Sequence, residues 1–172
     1  MQILRTILGT VDKVNETLAK TFSWGMFLLV ITMAYEVTAR YVFQSPTIWS
    51  YDVSYFLSSL ALMMGMAYTL KSKGHVNIDI IYGRFSPRNK ARIDIVFALL
   101  LFFPLWLLMS GVMIEHVQFS WGMRERSWVG SWLPIIYPYK TWVTIGVIML
   151  LLQGTAEFIR DIYVAITGGE RP

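Results

Sequence analysis

The sequence contains four long apolar runs, and this feature constrains the fold more than any other. The runs cover about residues 21–43, 47–70, 93–116 and 137–159. A helix needs about 20 apolar residues, at about 1.5 Å rise each, to cross a bilayer. Only 15% of the residues are charged, whereas an ordinary soluble domain has roughly 25%. We therefore predict an all-α membrane bundle of four transmembrane helices that forms a single domain over residues 1–172.

The first 20 residues carry a different pattern. Apolar residues recur at helical spacing between Ile3 and Leu18, and charged residues occupy positions between them. This pattern predicts an N-terminal amphipathic helix over residues 1–20 that lies at the membrane interface. A cleaved signal peptide is the alternative. Asp12 and Glu16 precede the apolar run and no small-residue cleavage site follows it, so we keep the segment in the mature chain.

Lysine and arginine are distributed unevenly between the two sides of the predicted bundle. If the N-terminus is cytoplasmic, most of the 15 basic residues face the cytoplasm. The connection from Lys71 to Arg92 is the most basic of these segments. Because cytoplasmic loops of membrane proteins carry an excess of Lys and Arg, we expect both termini in the cytoplasm.

Three charged residues stand near the outer ends of the first two spans, which are the ends away from the chain termini. Glu36 and Arg40 are one helical turn apart, and Asp52 begins the second span after a short turn through Ser45 and Pro46. We predict that Glu36, Arg40 and Asp52 form one charge-compensated cluster. Such a cluster can anchor the helices at the lipid headgroups, face another protein chain, or relay protons or ions.

A stripe of small residues follows one face of the second span. Ser54, Ser58, Ala61 and Gly65 are spaced by three or four residues. Small residues at this spacing permit close approach of two helix backbones, so the stripe predicts packing on protein, from this chain or from a partner. A water-filled polar pathway is the alternative interpretation. The lack of an acidic residue at mid-membrane in this span argues against it.

The sequence lacks the patterns typical of enzymes and cofactor proteins. It has no cysteine, and its two histidines, His75 and His116, are predicted to lie on opposite sides of the membrane. They are therefore unsuited to serve as a pair of haem ligands. Phosphate-binding glycine loops and metal-ligand spacings are also missing. The net charge of +4 is concentrated at the ends of apolar runs, so we expect no nucleic-acid partner, no catalytic residue and no cofactor in this chain.

The stretch RYVFQSPTIWSYDVSYFLSSLALMMGMAYTLKSKGHVNIDII resembles the small membrane subunit, or Q subunit, of tripartite ATP-independent periplasmic (TRAP) transporters. The similar features are the Arg-Tyr-Val-Phe end of the first span at residues 40–43 and the Trp-Ser start of the second at residues 49–52. Gly65 and the Gly-His-Val segment at residues 74–79 follow. The family often has two consecutive acids after Trp-Ser, where this chain has Tyr51 before its single acid.

The resemblance implies a multi-pass protein of the bacterial inner membrane that works in a complex. Its partners would be a large M subunit, which binds sodium and substrate and moves as an elevator, and a soluble periplasmic binding protein. The substrate would be an organic anion such as a sialic acid, a C4-dicarboxylate or a keto acid. The small subunit would enlarge and anchor the static scaffold. Arg124, Glu125 and Arg126, in the predicted periplasmic loop, are candidates for docking the binding protein.

Two other functions are compatible with four short spans. The chain could be an autonomous small transporter or channel that works as an oligomer, or it could anchor a membrane redox complex. The lack of a charged residue at mid-membrane argues against the first, and the lack of haem ligands argues against the second.

Overall fold

The structure is a computed structural model, and it describes residues 2–72 and 85–168. Its helices are α1 (Gln2–Tyr41), α2 (Ser50–Lys71), α3 (Pro87–Phe97), α4 (Phe103–Met123) and α5 (Tyr137–Thr167). A π-helical turn at Ala98–Phe102 joins α3 to α4, so that residues 87–122 form one long helix. Among the described residues, four helices are therefore long and apolar enough to cross a membrane, as predicted.

The helix α5 lies at the centre of the bundle. It contacts α2 on one side and the α3–α4 helix on the other, and α1 packs mainly on α2. Two glycines of α5 allow these close contacts. A side chain at Gly146 would press on Met63 of α2, and one at Gly154 would overlap the ring of Phe102. These packing glycines were not recognised in the sequence, because the periodicity of an apolar run does not show which face a neighbour will cover.

The structure does not show a separate amphipathic helix at the N-terminus. The helix α1 runs without a break for 40 residues, a length of about 60 Å at 1.5 Å per residue. It contains no proline to interrupt it. Its first half also has a packing surface, because Leu8 and Asn15 are buried and Asn15 contacts Gln153 of α5. Residues 2–20 therefore continue the first span along the bundle.

The third span is irregular next to Pro104. Proline lacks a backbone N–H, so residue 104 cannot complete the usual helical hydrogen bond. The turn before it is π-helical, and the Phe103 N–H bonds to the carbonyl of Ala98, five residues back. At the start of α3, Ser86 accepts a hydrogen bond from the Asn89 N–H at 3.4 Å, with Pro87 in the first helical turn.

Residues 124–136 connect α4 to α5 and form a short hairpin, which we call the outer hairpin. The Ser127 N–H bonds to the Pro134 carbonyl at 2.8 Å, and the Ile136 N–H bonds to the Glu125 carbonyl at 3.2 Å. This end of the bundle, which also holds the turn between α1 and α2, is the outer end; the opposite end is the inner end. Residues 73–84, which include the Gly-His-Val segment, lie outside the described residues.

Candidate subunit-interface site

Glu36 ties the end of α1 to the turn that follows it. Its Oε1 atom accepts hydrogen bonds from Nε and Nη2 of Arg40, at 3.0 and 2.6 Å. Its Oε2 atom accepts bonds from the N–H of Thr47, at 3.1 Å, and from the Thr47 hydroxyl. The Glu36 side chain is 8% exposed, whereas that of Arg40 is 55% exposed. The carboxylate is therefore buried and fully bonded, and the cation reaches the surface.

Asp52 belongs to a different group of residues. It is 1% exposed, and its Oδ1 atom accepts a hydrogen bond from the Ser127 hydroxyl at 3.0 Å. Its Oδ2 atom has no hydrogen-bond partner among residues 2–72 and 85–168. This oxygen lies against Gly130, where a Cβ would overlap it. Asp52 therefore fixes the outer hairpin on the first turn of α2.

The prediction of one cluster from Glu36, Arg40 and Asp52 is thus corrected. In the part of the chain that the structure describes, Arg40 forms an ion pair with Glu36 and none with Asp52. The outer hairpin, which connects α4 to α5, covers Asp52, whereas Glu36 binds Arg40 and the turn after α1. The sequence could not indicate this contact, since Ser127 follows Asp52 by 75 residues.

The small-residue stripe lines an open groove between α1 and α2. The groove consists of two hollows of about 620 and 560 Å³, and Ser58 contributes to both. Ser54 lines the outer hollow, and its hydroxyl lies 3.3 Å from the sulfur of Met33. Ala61 and Gly65 line the inner hollow, where a Cβ on Gly65 would meet no atom within 4 Å. The described part of this chain leaves that face uncovered.

The three residues predicted to dock a binding protein point in different directions. Arg124 and Arg126 are exposed, but Glu125 turns inward. Lys140 of α5 donates a hydrogen bond to Glu125 at 2.6 Å, and the Ser120 hydroxyl of α4 donates another. These bonds hold the pKa of Glu125 below its ordinary value. The structure thus joins the hairpin to both neighbouring helices through Glu125, and the docking role of the two arginines stays a prediction.

Lys140 has a second partner that extends this group of residues. Its ammonium lies 2.9 Å from Nε2 of His116, near the end of α4, and 3.1 Å from the Ser120 hydroxyl. The ammonium therefore joins α4, α5 and the hairpin.

A polar network near the inner end was missed in the sequence. Asn15 donates a hydrogen bond to Gln153 at 2.8 Å, and Gln153 donates one to Asp12 at 2.9 Å. Arg160 forms ion pairs with Asp12, at 2.7 Å, and with Glu157. The signal for this network was Gln153 itself, a polar residue inside the fourth apolar run, which is completely buried in the structure.

A second inner contact connects α1 to α2. Glu16 of α1 forms ion pairs with Lys71, the last residue of α2, at 2.9 Å, and with Lys20 at 2.7 Å. Asp52 and Lys71 mark the outer and inner polar layers on α2, and the 19 residue steps from one to the other correspond to about 28 Å of helix. This separation is close to the roughly 30 Å thickness of the hydrocarbon core.

Polar residues at both ends of this bundle hold membrane-spanning helices together. Within residues 2–72 and 85–168, no three His, Asp or Glu side chains are grouped so that they could hold a metal ion. The fold and the site thus define a small polytopic α-helical membrane protein with an open face between its first two helices.

Comparison with known families identifies the protein more closely. The family described as "Tripartite ATP-independent periplasmic transporters, DctQ component" matches residues 29–163, which is most of the chain. The chain therefore belongs to the DctQ family and is a small permease component of a TRAP transporter. This confirms the resemblance found in residues 40–79. A search of curated proteins found no match.

Proposed function

We propose that this chain is the static scaffold subunit of a sodium-coupled transporter that takes up an organic anion, and that it works beside a large elevator-type subunit. A periplasmic binding protein would deliver the carboxylate substrate, and sodium would bind to the large subunit. The protein would lie in the bacterial inner membrane with both termini in the cytoplasm.

One observation carries this proposal: the helices are fixed to each other at both ends, yet one face is left open. At the outer end, Asp52 and Glu125 connect the hairpin to α2, α4 and α5. At the inner end, Asp12 and Glu16 connect α1 to α5 and α2. A bundle held in this way is suited to a fixed support against which another domain moves.

The open groove supports a subunit interface on α1 and α2. Serine hydroxyls and small residues line it, and these residue types favour contact with another helix over contact with lipid. The exposed side chains of α4, among them Leu105, Leu108 and Val112, are bulky aliphatic residues that suit lipid. We therefore place the large subunit on the groove and lipid on α4.

Site-specific photocrosslinking tests the interface. A photoreactive residue at Ser58, in the groove, should crosslink to the large subunit in the assembled transporter. The same residue at Leu108, on the exposed face of α4, is the matched control and should crosslink several-fold less. Crosslinking from position 108 and not from position 58 would place the large subunit on α4 and would contradict this proposal.

Reconstitution tests the function itself. The purified chain alone in proteoliposomes should not transport an organic anion. Uptake should require the large subunit, the binding protein and a sodium gradient together. Uptake by this chain alone would overturn the scaffold function in favour of the autonomous transporter.

A further inference from the structure

The tip of the outer hairpin exposes large apolar side chains. Trp128 is 83% exposed, and Val129, Trp132 and Leu133 are also exposed. The hairpin that carries them is held by backbone hydrogen bonds and by the contact of Ser127 with Asp52. The tip is therefore a fixed apolar surface, and water is an unfavourable environment for it.

The depth of the hairpin can be determined from α1. The rings of Tyr35 and Trp49 stack with centroids 5.8 Å apart, so residue 35 of α1 is level with the start of α2. Asp52, which binds the hairpin, lies in the first turn of α2. Beyond Tyr35, α1 continues to Tyr41, a rise of about 9 Å, and Val42 and Phe43 follow it.

These last residues of the first span need an apolar environment. Val42 and Phe43 are both largely exposed in the bundle and do not line the groove that we assign to the large subunit. If lipid covers them, the hairpin lies no farther out than the outer edge of the bilayer, because they extend past the level of Asp52. The hairpin is thus placed at the membrane interface rather than in the aqueous phase.

The charges of the hairpin favour an anionic ligand. Glu125 is directed inward to Lys140 and Ser120, so the two exposed arginines, Arg124 and Arg126, are not neutralised by it. A guanidinium group matches the geometry of a phosphate, and tryptophan is enriched at the level of lipid headgroups. An apolar tip with exposed arginines at this depth therefore has the chemistry of a phospholipid-binding element.

We propose that the outer hairpin binds the phospholipid headgroup layer. Trp128 and Trp132 lie among the headgroups, and Arg124 and Arg126 bind lipid phosphodiesters. The hairpin then fixes the height of this end of the bundle in the membrane. A periplasmic protein is the competing partner for the same surface.

Spin-label accessibility measures the position of the hairpin directly. The chain has no cysteine, so Val129→Cys can carry a single label next to Trp128. The assembled transporter is placed in nanodiscs of phosphatidylethanolamine and phosphatidylglycerol, and collisions with oxygen and with a water-soluble nickel complex are compared. Labels at Leu108 and at Gln2, both at exposed positions on helices, serve as the lipid and aqueous references.

The proposal expects the label at position 129 to collide with the nickel complex several-fold less often than the label at position 2. It also expects Arg124→Gln with Arg126→Gln to shift position 129 toward the aqueous reference while the unfolding temperature is unchanged. Nickel accessibility equal to that at position 2 would overturn the proposal. Protection that arises only when the binding protein is added would overturn it too, and would assign the hairpin to that protein.

Discussion

Arg40 illustrates at the residue scale how this membrane helix carries charge. Its guanidinium group pairs with a buried carboxylate one turn earlier, and that carboxylate also binds the turn after α1. Removing Arg40 would leave Glu36 with Thr47 and Ser50 as partners. The sequence prediction that Arg40 compensates two acids is wrong. Arg40 does compensate the charge of Glu36.

We expect Arg40→Ala to lower the unfolding temperature and to reduce copurification with the large subunit. Breaking a fully buried ion pair costs roughly 3–5 kcal/mol. The cost here should be smaller, because the Arg40 side chain is 55% exposed. Lys13→Ala, at an exposed position of α1, is the control and should change neither measurement. If a folded Arg40→Ala variant assembles normally, Arg40 serves only to anchor the helix at the headgroups and has no role in assembly.

Gly130 and Asp52 make a second contact whose importance can be measured by a double-mutant cycle. A Cβ at position 130 would overlap the Asp52 carboxylate, so Gly130→Ala should destabilise the protein by roughly 1–3 kcal/mol, the usual cost of overpacking. In an Asp52→Ala background, the added methyl group can occupy the vacated space and the cost should shrink. Thermal unfolding in detergent measures all four proteins.

Gly122 provides the matched control for this cycle. A Cβ there meets no atom within 4 Å, and alanine favours a helix more than glycine does. Gly122→Ala should therefore not destabilise the protein in either background. Equal effects of Gly130→Ala with and without the Asp52 carboxylate would contradict the proposed contact.

The outer hairpin is the element that the sequence described least well. The sequence predicted a periplasmic loop there, and the structure shows a hairpin fixed to α2 through Asp52 and to α5 through Lys140. Lys140 is mostly buried there, with 17% of its side chain exposed, so it does not extend freely toward the headgroups. The hairpin is consequently a continuation of the bundle.

The hairpin should loosen in acid. The hydrogen bond from Lys140 lowers the pKa of Glu125 below its ordinary value of 4.5. Since the pKa is lower in the folded state, the stabilisation from Glu125 is present above 4.5 and is lost as the pH falls through the lowered pKa. A spin label at position 129 should therefore become more mobile only below pH 4.5.

Glu125→Gln separates this effect from the titration of other acids. The variant lacks the carboxylate at every pH, so its label should be more mobile at neutral pH and should change less on acidification. Identical pH profiles for the two proteins would assign the acid response to a different group.

At the scale of the whole molecule, the two polar layers determine how the bundle sits in the membrane. The outer layer contains Glu36 and Asp52, and the inner layer contains Asn15, Lys71 and Gln153. Their spacing along α2 matches one hydrocarbon core. The direction of insertion then depends on the excess of basic residues at the inner end.

We expect the inner end to face the cytoplasm. A single cysteine at Arg88, in the first turn of α3, should be protected from an impermeant thiol reagent in intact spheroplasts and should react after lysis. A cysteine at Ser45, exposed in the turn between α1 and α2, should react in intact spheroplasts. The reverse pattern would invert the predicted orientation.

Features that depend on neighbours along the chain could be predicted from the sequence. Apolar runs of sufficient length must cross the bilayer, because an exposed backbone cannot be satisfied in lipid except within a helix. The pairing of Glu36 with Arg40 follows from their four-residue spacing on one helix face. The Ser86 cap and the π-helical turn next to Pro104 are local in the same way. Motif residues between the end of the first span and the Gly-His-Val segment, residues 40–79, were sufficient to indicate the family.

The contacts between distant polar groups became visible only in the folded bundle. Asp52 binds Ser127, and Asn15 binds Gln153, across 75 and 138 residues of chain. Nothing in the helical period of either partner specifies such a pairing, because it depends on which helices are adjacent and on their relative height. The open groove between α1 and α2 is decided in the same way, since a stripe of small residues permits close packing without providing the helix that would fill it.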